Sequence, residues 1–257
     1  MSIFCTSLRV KNIGRELFPG PGFLQDGDVV EIIGEQSTGK STILQDLMIT
    51  CLLPEDHDGC MSGVIYFDLD YHFDLLRVVA IIEQRTQGTE NDIQNWLKNF
   101  HLIRCADMEQ LVISLHAIEP LIANSKIPVG MIILDSISAL HWVDSNAGNN
   151  SQYLKEAKLR KIVQVLQALK ERYKLCILAS TQQLLKKDCR QNRDDEEEVV
   201  PYKPFLCRQW LEFVKHRFVV TKDDHEEVTT RKILCLSSKM DTKQFVIDEK
   251  GFHLVKA

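Results

Sequence analysis

The chain of 257 residues is 44% hydrophobic and 26% charged, enough apolar material to bury a full core in one large domain. It has no apolar run near the roughly 18 residues that cross a bilayer and no basic-then-apolar N-terminal signal, so a soluble, unsecreted protein without membrane contact is expected. A net charge of -5 excludes coating nucleic acid by bulk charge and leaves only a local patch, or a surface shared with a partner.

The first 28 residues are weakly patterned, with Pro19-Gly20-Pro21-Gly22 marking a turn, and read as a linker or docking segment ahead of a core over residues 29–257. The apolar run Val29-Val30-Glu31-Ile32-Ile33 then predicts a strand. Directly after it, Gly34-Glu35-Gln36-Ser37-Thr38-Gly39-Lys40-Ser41 is a complete G-x-x-x-x-G-K-[ST] phosphate loop, continued by Thr42. Glycines let such a loop curl until successive N–H groups face phosphate oxygens. Lys40 is expected to reach the β and γ phosphates, and Ser41 to offer its hydroxyl to Mg2+. A helix is predicted from Lys40 to Cys51, with Ile43, Leu44, Leu47 and Met48 on one face and its positive end toward the anion. The expected ligand is therefore a nucleoside triphosphate.

Strand-like runs then alternate with helical patterns: Val64–Leu69, a helix over Leu75–Arg85, Phe100–Arg104, a helix over Met108–Ala123, Val129–Leu134, a helix over Tyr153–Tyr173, and Leu175–Ser180. This alternation predicts an α/β fold, a mostly parallel sheet flanked by helices, and strands apolar along nearly their whole length suit a sheet covered on both faces. The helix from Tyr153 carries Leu154, Ala157, Ile162, Leu166 and Leu169 on one stripe, with lysines elsewhere. Leu184–Pro204 keeps no period, contains Asp194-Asp195-Glu196-Glu197-Glu198, and reads as a long loop. Beyond residue 210, shorter runs at Phe213–Thr221, Arg231–Leu236 and Phe245–Ile247 predict an antiparallel extension of the sheet. Eight cysteines without any C-x-x-C pair point to a reducing compartment and no zinc site, leaving room for a lone disulfide, and Cys176 in its apolar run is expected to act as a small hydrophobe.

A phosphate loop needs a carboxylate for the magnesium hydration shell, and Met131-Ile132-Ile133-Leu134-Asp135 ends an apolar strand in one. The other reading of Asp135 is a cap for the next turn. The chain continues Ser136-Ile137-Ser138-Ala139-Leu140, and here it resembles the RecA-type recombinases, whose second nucleotide motif is an apolar strand, Asp-Ser, two residues and Ala-Leu.

The resemblance extends over about residues 20–250. Val64 to Phe73 is similar to the strand carrying the family's catalytic carboxylate, which implies that role for Asp70. Arg77 stands where the family sets an arginine against adenine. Ile177-Leu178-Ala179-Ser180-Thr181-Gln182 is similar to the strand ending in the glutamine that senses the γ-phosphate, which implies a catalytic role for Gln182. The resemblance implies a RecA-like P-loop NTPase core binding ATP and Mg2+. Gly34 to Thr42, Arg77 and Asp135 would hold the nucleotide, and Ser41 and Asp135 the metal. It also implies a nuclear protein of homologous recombination and double-strand-break repair, partnered by other recombinase paralogues in a hetero-oligomer. Single-stranded or branched DNA would be met mainly through that complex.

Departures from the family pattern shape the remaining expectations. Asp70 replaces a Glu and is one methylene shorter, so weak or absent DNA-stimulated ATPase activity is expected. The stretch before residue 28 is too short for the family's small helical N-terminal domain, and Phe4-Cys5-Thr6-Ser7 only weakly matches its Phe-x-x-Ala docking motif, which argues against self-polymerisation. The five consecutive acids oppose phosphate, whereas Lys203, Arg208, Lys215, His216 and Arg217 form a basic cluster that is either a DNA contact or plain surface. Two alternatives stand beside this reading. One is a self-contained P-loop small-molecule kinase with its lid at Lys186 to Arg193; the other is a structural subunit that nucleotide stabilises without turnover. No Asn-Lys pair exists to build the guanine-binding N-K-x-D of a GTPase.

Overall fold

The computed structural model describes residues 14, 17–18, 24–140, 152–183, 206–223, 230–237 and 242–255. Phe4–Ser7, Pro19–Gly22, the acidic run, Lys203 and the lid candidate lie outside the described residues. A nearly unbroken apolar run at the start of the core builds β1 (Val29–Gly34), buried at every position, its side chains alternating between faces so that Val30 and Ile32 join one apolar cluster and Val29 another. The same period of two recurs in β2 (Gly63–Asp68), β4 (Val129–Asp135) and β5 (Cys176–Gln182): Val64, Tyr66, Met131, Ile133 and Leu178 face one way, and Ile65, Phe67, Ile132, Leu134 and Ile177 the other.

With β3 (Phe100–Arg104), β6 (His216–Asp223), β7 (Thr230–Cys235), β8 (Lys243–Asp248) and β9 (Gly251–Leu254), these strands form one nine-stranded sheet in the order β3-β2-β4-β5-β1-β6-β7-β8-β9. Strands from β3 to β6 are parallel, and β6 to β9 are antiparallel, so the expected mostly parallel sheet with an antiparallel extension is present. Helices α1 (Lys40–Leu52), α2 (Leu75–Thr86) and α3 (Glu90–Leu97) bury residues in the first cluster. Helices α4 (Met108–Ala117), α5 (Glu119–Asn124), α6 (Gln152–Tyr173) and α7 (Arg208–Phe213) do so in the second. Among the described residues no helix is long and apolar enough to cross a membrane.

Several expectations are corrected. The helix read over Met108–Ala123 is two helices broken at Ile118, with Pro120 in the first turn of α5, where its missing N–H costs nothing. The strand read from Phe213 starts at His216, because Phe213 closes α7. Helix α1 is buried nearly all round, Gln45, Ile49, Cys51 and Leu52 joining the four residues expected on one face. Leu154, assigned to the apolar stripe of α6, is 45% exposed, and Leu159 and Val163 are buried in that helix. Ahead of β1, Leu17, Phe18 and Leu24 pack into the first cluster, so the packed body reaches into the segment expected to be a linker.

The C-terminal hairpin is fastened to the helices of the phosphate-loop side. Arg85 of α2 pairs with Asp46 of α1, and its Nε donates to the Lys250 carbonyl oxygen at 3.1 Å. Gly251 completes the turn at φ 103°, a left-handed conformation that favours glycine. The described cysteines are free thiols: Cys51, Cys105, Cys176, Cys207 and Cys235 are buried and Cys60 is half-buried. Burial pushes the thiols of Cys51, Cys105 and Cys176 up, and that of Cys60 up to about 11.

Candidate nucleotide site

The phosphate loop connects β1 to α1, and its two glycines are used for different reasons. Gly39 caps α1 in the left-handed region (φ 101°), with Ile247 against its α-carbon; a side chain would be strained there and would collide. Gly34 lies where a methyl group would be 2.6 Å from the Val220 carbonyl oxygen and 2.7 Å from Thr38 Oγ1. Between them Glu35, Gln36 and Ser37 are exposed, and Ser37 also has a positive φ of 63°. The Glu35 carbonyl oxygen accepts from Thr38 Oγ1 at 3.0 Å and from Lys40 Nζ at 2.6 Å, so the lysine is folded back along its own loop. Ser41 and Thr42 are half-buried in the first turn of α1.

Asp135 ends β4, buried between its neighbours. Its Oδ2 accepts from the Tyr66 hydroxyl of β2 at 2.6 Å and its Oδ1 from the Ser180 hydroxyl of β5. The Asp135–Ser136 peptide bond is cis. Ser136 Oγ lies 2.5 Å from Ser138 Oγ, which accepts from the backbone N–H of Gln182 at 2.9 Å. Gln182 is exposed at the end of β5, in register with Gly34.

At the end of β2, Asp68 is buried in register with Asp135 and organises the next turn. It accepts from the backbone N–H of His72 (3.0 Å) and Phe73 (3.4 Å) and from Arg104 Nε (3.1 Å). That turn carries half-buried Asp70, whose Oδ1 lies 3.5 Å from His72 Nδ1. Burial pushes the Asp70 carboxyl up, as do the charges of Asp135 and Asp68, while His72 opposes the shift. Burial pushes the Lys40 ammonium down, and Asp135, Asp70 and Glu35 pull it back up. Each thus feels Asp135, and Lys40 feels Asp70, so the charges of one cation and two carboxylates act on one another at the strand ends. Arg77 is exposed in the first turn of α2, its backbone N–H held by Asp74 Oδ1 at 3.2 Å.

Tyr66, Ser180 and Asp68 were not anticipated as parts of this site. The signal existed: each places a polar group in an otherwise apolar strand, and buried polar groups require partners. The described members of the basic cluster are bound to carboxylates. Lys215 Nζ lies 2.6 Å from Asp28 Oδ1, His216 Nε2 lies 3.4 Å from Asp28 Oδ2, and Arg208 pairs with Glu212 at 2.7 Å. Arg217 Nε donates to Glu31 Oε2 at 3.1 Å. Glu31 also accepts from Trp210 Nε1 at 2.9 Å and Thr181 Oγ1 at 3.2 Å. Burial pushes the Glu31 carboxyl up, and Trp210, Arg217 and Thr181 restrain that rise.

A phosphate loop after the central β1, an acid ending β4 and antiparallel strands beyond β6 define a RecA-like fold. The chain belongs to the Rad51 family, whose profile matches residues 13–201. Within the family, Asp70-Tyr71-His72-Phe73-Asp74, Leu134-Asp135-Ser136 and Tyr202 to Arg217 resemble the small paralogue X-ray repair cross-complementing protein two, and the comparisons bear this resemblance out. The chain is 31% identical to the DNA repair protein XRCC2 of Mus musculus over 94% of its own length and 90% of the mouse protein. It is 23% identical to the XRCC2 homolog of Arabidopsis thaliana, covering 88% and 80% of the two chains. Identity to the DNA repair protein RAD51 of Saccharomyces cerevisiae is 26%, over 70% of this chain and 42% of the yeast one.

Proposed function

We propose that this chain is an ATP- and magnesium-binding recombinase paralogue, one subunit of a hetero-oligomer that supports homologous recombination and double-strand-break repair in the nucleus. The observation that carries this reading is the complete phosphate loop between β1 and α1 in a chain of the Rad51 family, with the buried acid Asp135 ending the neighbouring β4 and its charge acting on Lys40. Gly34 to Thr42 cradle the phosphates, and Lys40 exchanges its Glu35 carbonyl partner for phosphate oxygen. The Ser41 hydroxyl and the Asp135 carboxylate form a hard-oxygen set that fits Mg2+, a cation held by one or two protein oxygens together with phosphates and water. When bound, Mg2+ neutralises charge on the phosphates. Arg77 is assigned to the base, Gln182 to the γ-phosphate and Asp70 to the attacking water.

A carboxylate one methylene short holds that water poorly, and Asp135 nearby further disfavours an ionised Asp70. The unmodified chain is expected to hydrolyse ATP very slowly, and Asp70→Glu to raise the rate. Steady-state phosphate release measures both; robust turnover by the unmodified protein would refute the geometric argument.

The relatives' names, DNA repair proteins all, support the repair role. Net charge of -5 and the commitment of Lys215, His216 and Arg217 to Asp28 and Glu31 support DNA binding that belongs mainly to the assembly. The chain expressed alone is expected to aggregate, and to become soluble on co-expression with another recombinase paralogue. Light scattering and a salt-dependent DNA-binding assay, each with and without the partner, test the proposal. It fails if the lone chain is monodisperse and binds DNA tightly at physiological salt.

A further inference from the structure

The antiparallel extension does more than widen the sheet, because its β7 runs past the phosphate loop. Arg231, Ile233 and Cys235 alternate onto one face of β7; Ile233 and Cys235, with Phe245 opposite Arg231 on β8, belong to the cluster that also buries Ile43, Leu44 and Leu47 of α1. The row is therefore apolar along the body of the helix and becomes cationic where it reaches the helix start. There the half-buried Arg231 packs on the loop itself: a methyl group on Gly39 would be 3.5 Å from Arg231 Cδ and 3.6 Å from Nε.

A guanidinium at this point adds positive charge to a place that already holds Lys40 and the positive end of α1, an arrangement that an anion relieves. Sheet order tells which part of the anion it meets. Asp135 on β4, Gln182 on β5 and Asp70 after β2 all lie on one side of β1, and Arg231 on β7 lies on the other. A triphosphate whose terminal group sits with Lys40 and the carboxylates lays its inner phosphates along the loop and the start of α1, where Arg231 packs on Gly39. Arg231 engages other groups of the chain as well, and the inference rests on its placement alone.

We propose that Arg231 is a second cation of the nucleotide site, supplied by the same chain and contacting the phosphate nearest the ribose. The proposal rests on the nucleotide reading above. Arginine suits the task, since its planar fork binds phosphate oxygens in pairs and stays charged.

Arg231→Met keeps the stem that covers Gly39 and removes the charge. Titrating a fluorescent ATP analogue and its ADP counterpart, the variant is expected to bind both about tenfold more weakly, the loss of one charge-assisted contact. Its melting temperature without nucleotide should match that of the parent, and Arg231→Lys should recover part of the affinity. Three results overturn the proposal: unchanged affinity, a loss confined to ATP, or a lowered nucleotide-free melting temperature. If the parent chain binds neither nucleotide, the nucleotide reading itself falls; a parent that binds while Arg231→Met binds equally well removes only Arg231.

Discussion

On the proposed nucleotide reading, Lys40→Ala is expected to weaken ATP binding by about 2–3 kcal/mol, the loss of charge-assisted hydrogen bonds to phosphate that no other described group of the loop would supply. Three features of the site raise the cost. None of the loop's other side chains is a cation, and Thr38 is occupied with the Glu35 carbonyl oxygen; Asp135 and Asp70 would then face the phosphates with their principal cation gone; and truncation frees no new donor. Like charges brought together in a partly desolvated cleft repel strongly, so the variant suffers more than the loss of one contact. Equilibrium titration with a fluorescent ATP analogue measures the change. Equal affinity for parent and variant would mean that the loop no longer binds nucleotide.

Trp210→Ala destabilises the fold by about 3–5 kcal/mol, the usual cost of deleting a large aromatic from a packed core. Trp210 is fully buried, its ring 6.1 Å from that of Phe213, and its indole N–H is one of the donors that keep Glu31 satisfied inside β1. Truncation leaves a cavity and a buried carboxyl short of a partner. For a chain of this size the melting temperature should fall on the order of 10 °C. Trp210→Phe fills most of the space while still removing the donor, and should cost about 1–3 kcal/mol. Differential scanning calorimetry of the soluble preparation, with the three proteins in one buffer, separates the two contributions. A Trp210→Ala protein that melts with the parent would show that this network is not part of the core.

Local signals carried most of the architecture. The phosphate loop, the strand before it and the acid ending β4 are contiguous motifs, and the nearly unbroken apolar runs of β1, β2 and β4 are written in adjacent residues. Misreadings arose where the deciding partner is remote in sequence. Arg208 to Phe213 folds as a helix because Trp210 must reach Glu31, 179 residues upstream. The basic cluster reads from sequence as either a DNA contact or plain surface because Asp28 and Glu31, which claim Lys215, His216 and Arg217, sit in a different part of the chain. Helix α3 was missed although its start is local, a capping box formed by Thr89 and Asp92, because Ile93 is its only buried residue and the apolar period is faint. Strand β9 is four residues long and depends on a two-residue hairpin turn, too little sequence for any period to register. The hydroxyls of Tyr66 and Ser180 were legible as polar groups, but their shared target emerges only when β2 and β5 flank β4.

The thiols described above bear on how this molecule can be tagged. Maleimide and iodoacetamide reagents react with thiolates, and a sulfhydryl that is both enclosed and pushed up in pKa presents almost none at neutral pH. Cys51, Cys105 and Cys176 combine both properties, and half-buried Cys60, at about 11, stays protonated as well. With Cys5 and Cys189 replaced, one cysteine placed at an exposed position such as Asn91 on α3 would take a dye in near isolation. A single-label fluorophore then becomes available for following nucleotide loading or subunit docking, with the interior sulfur atoms left as they are.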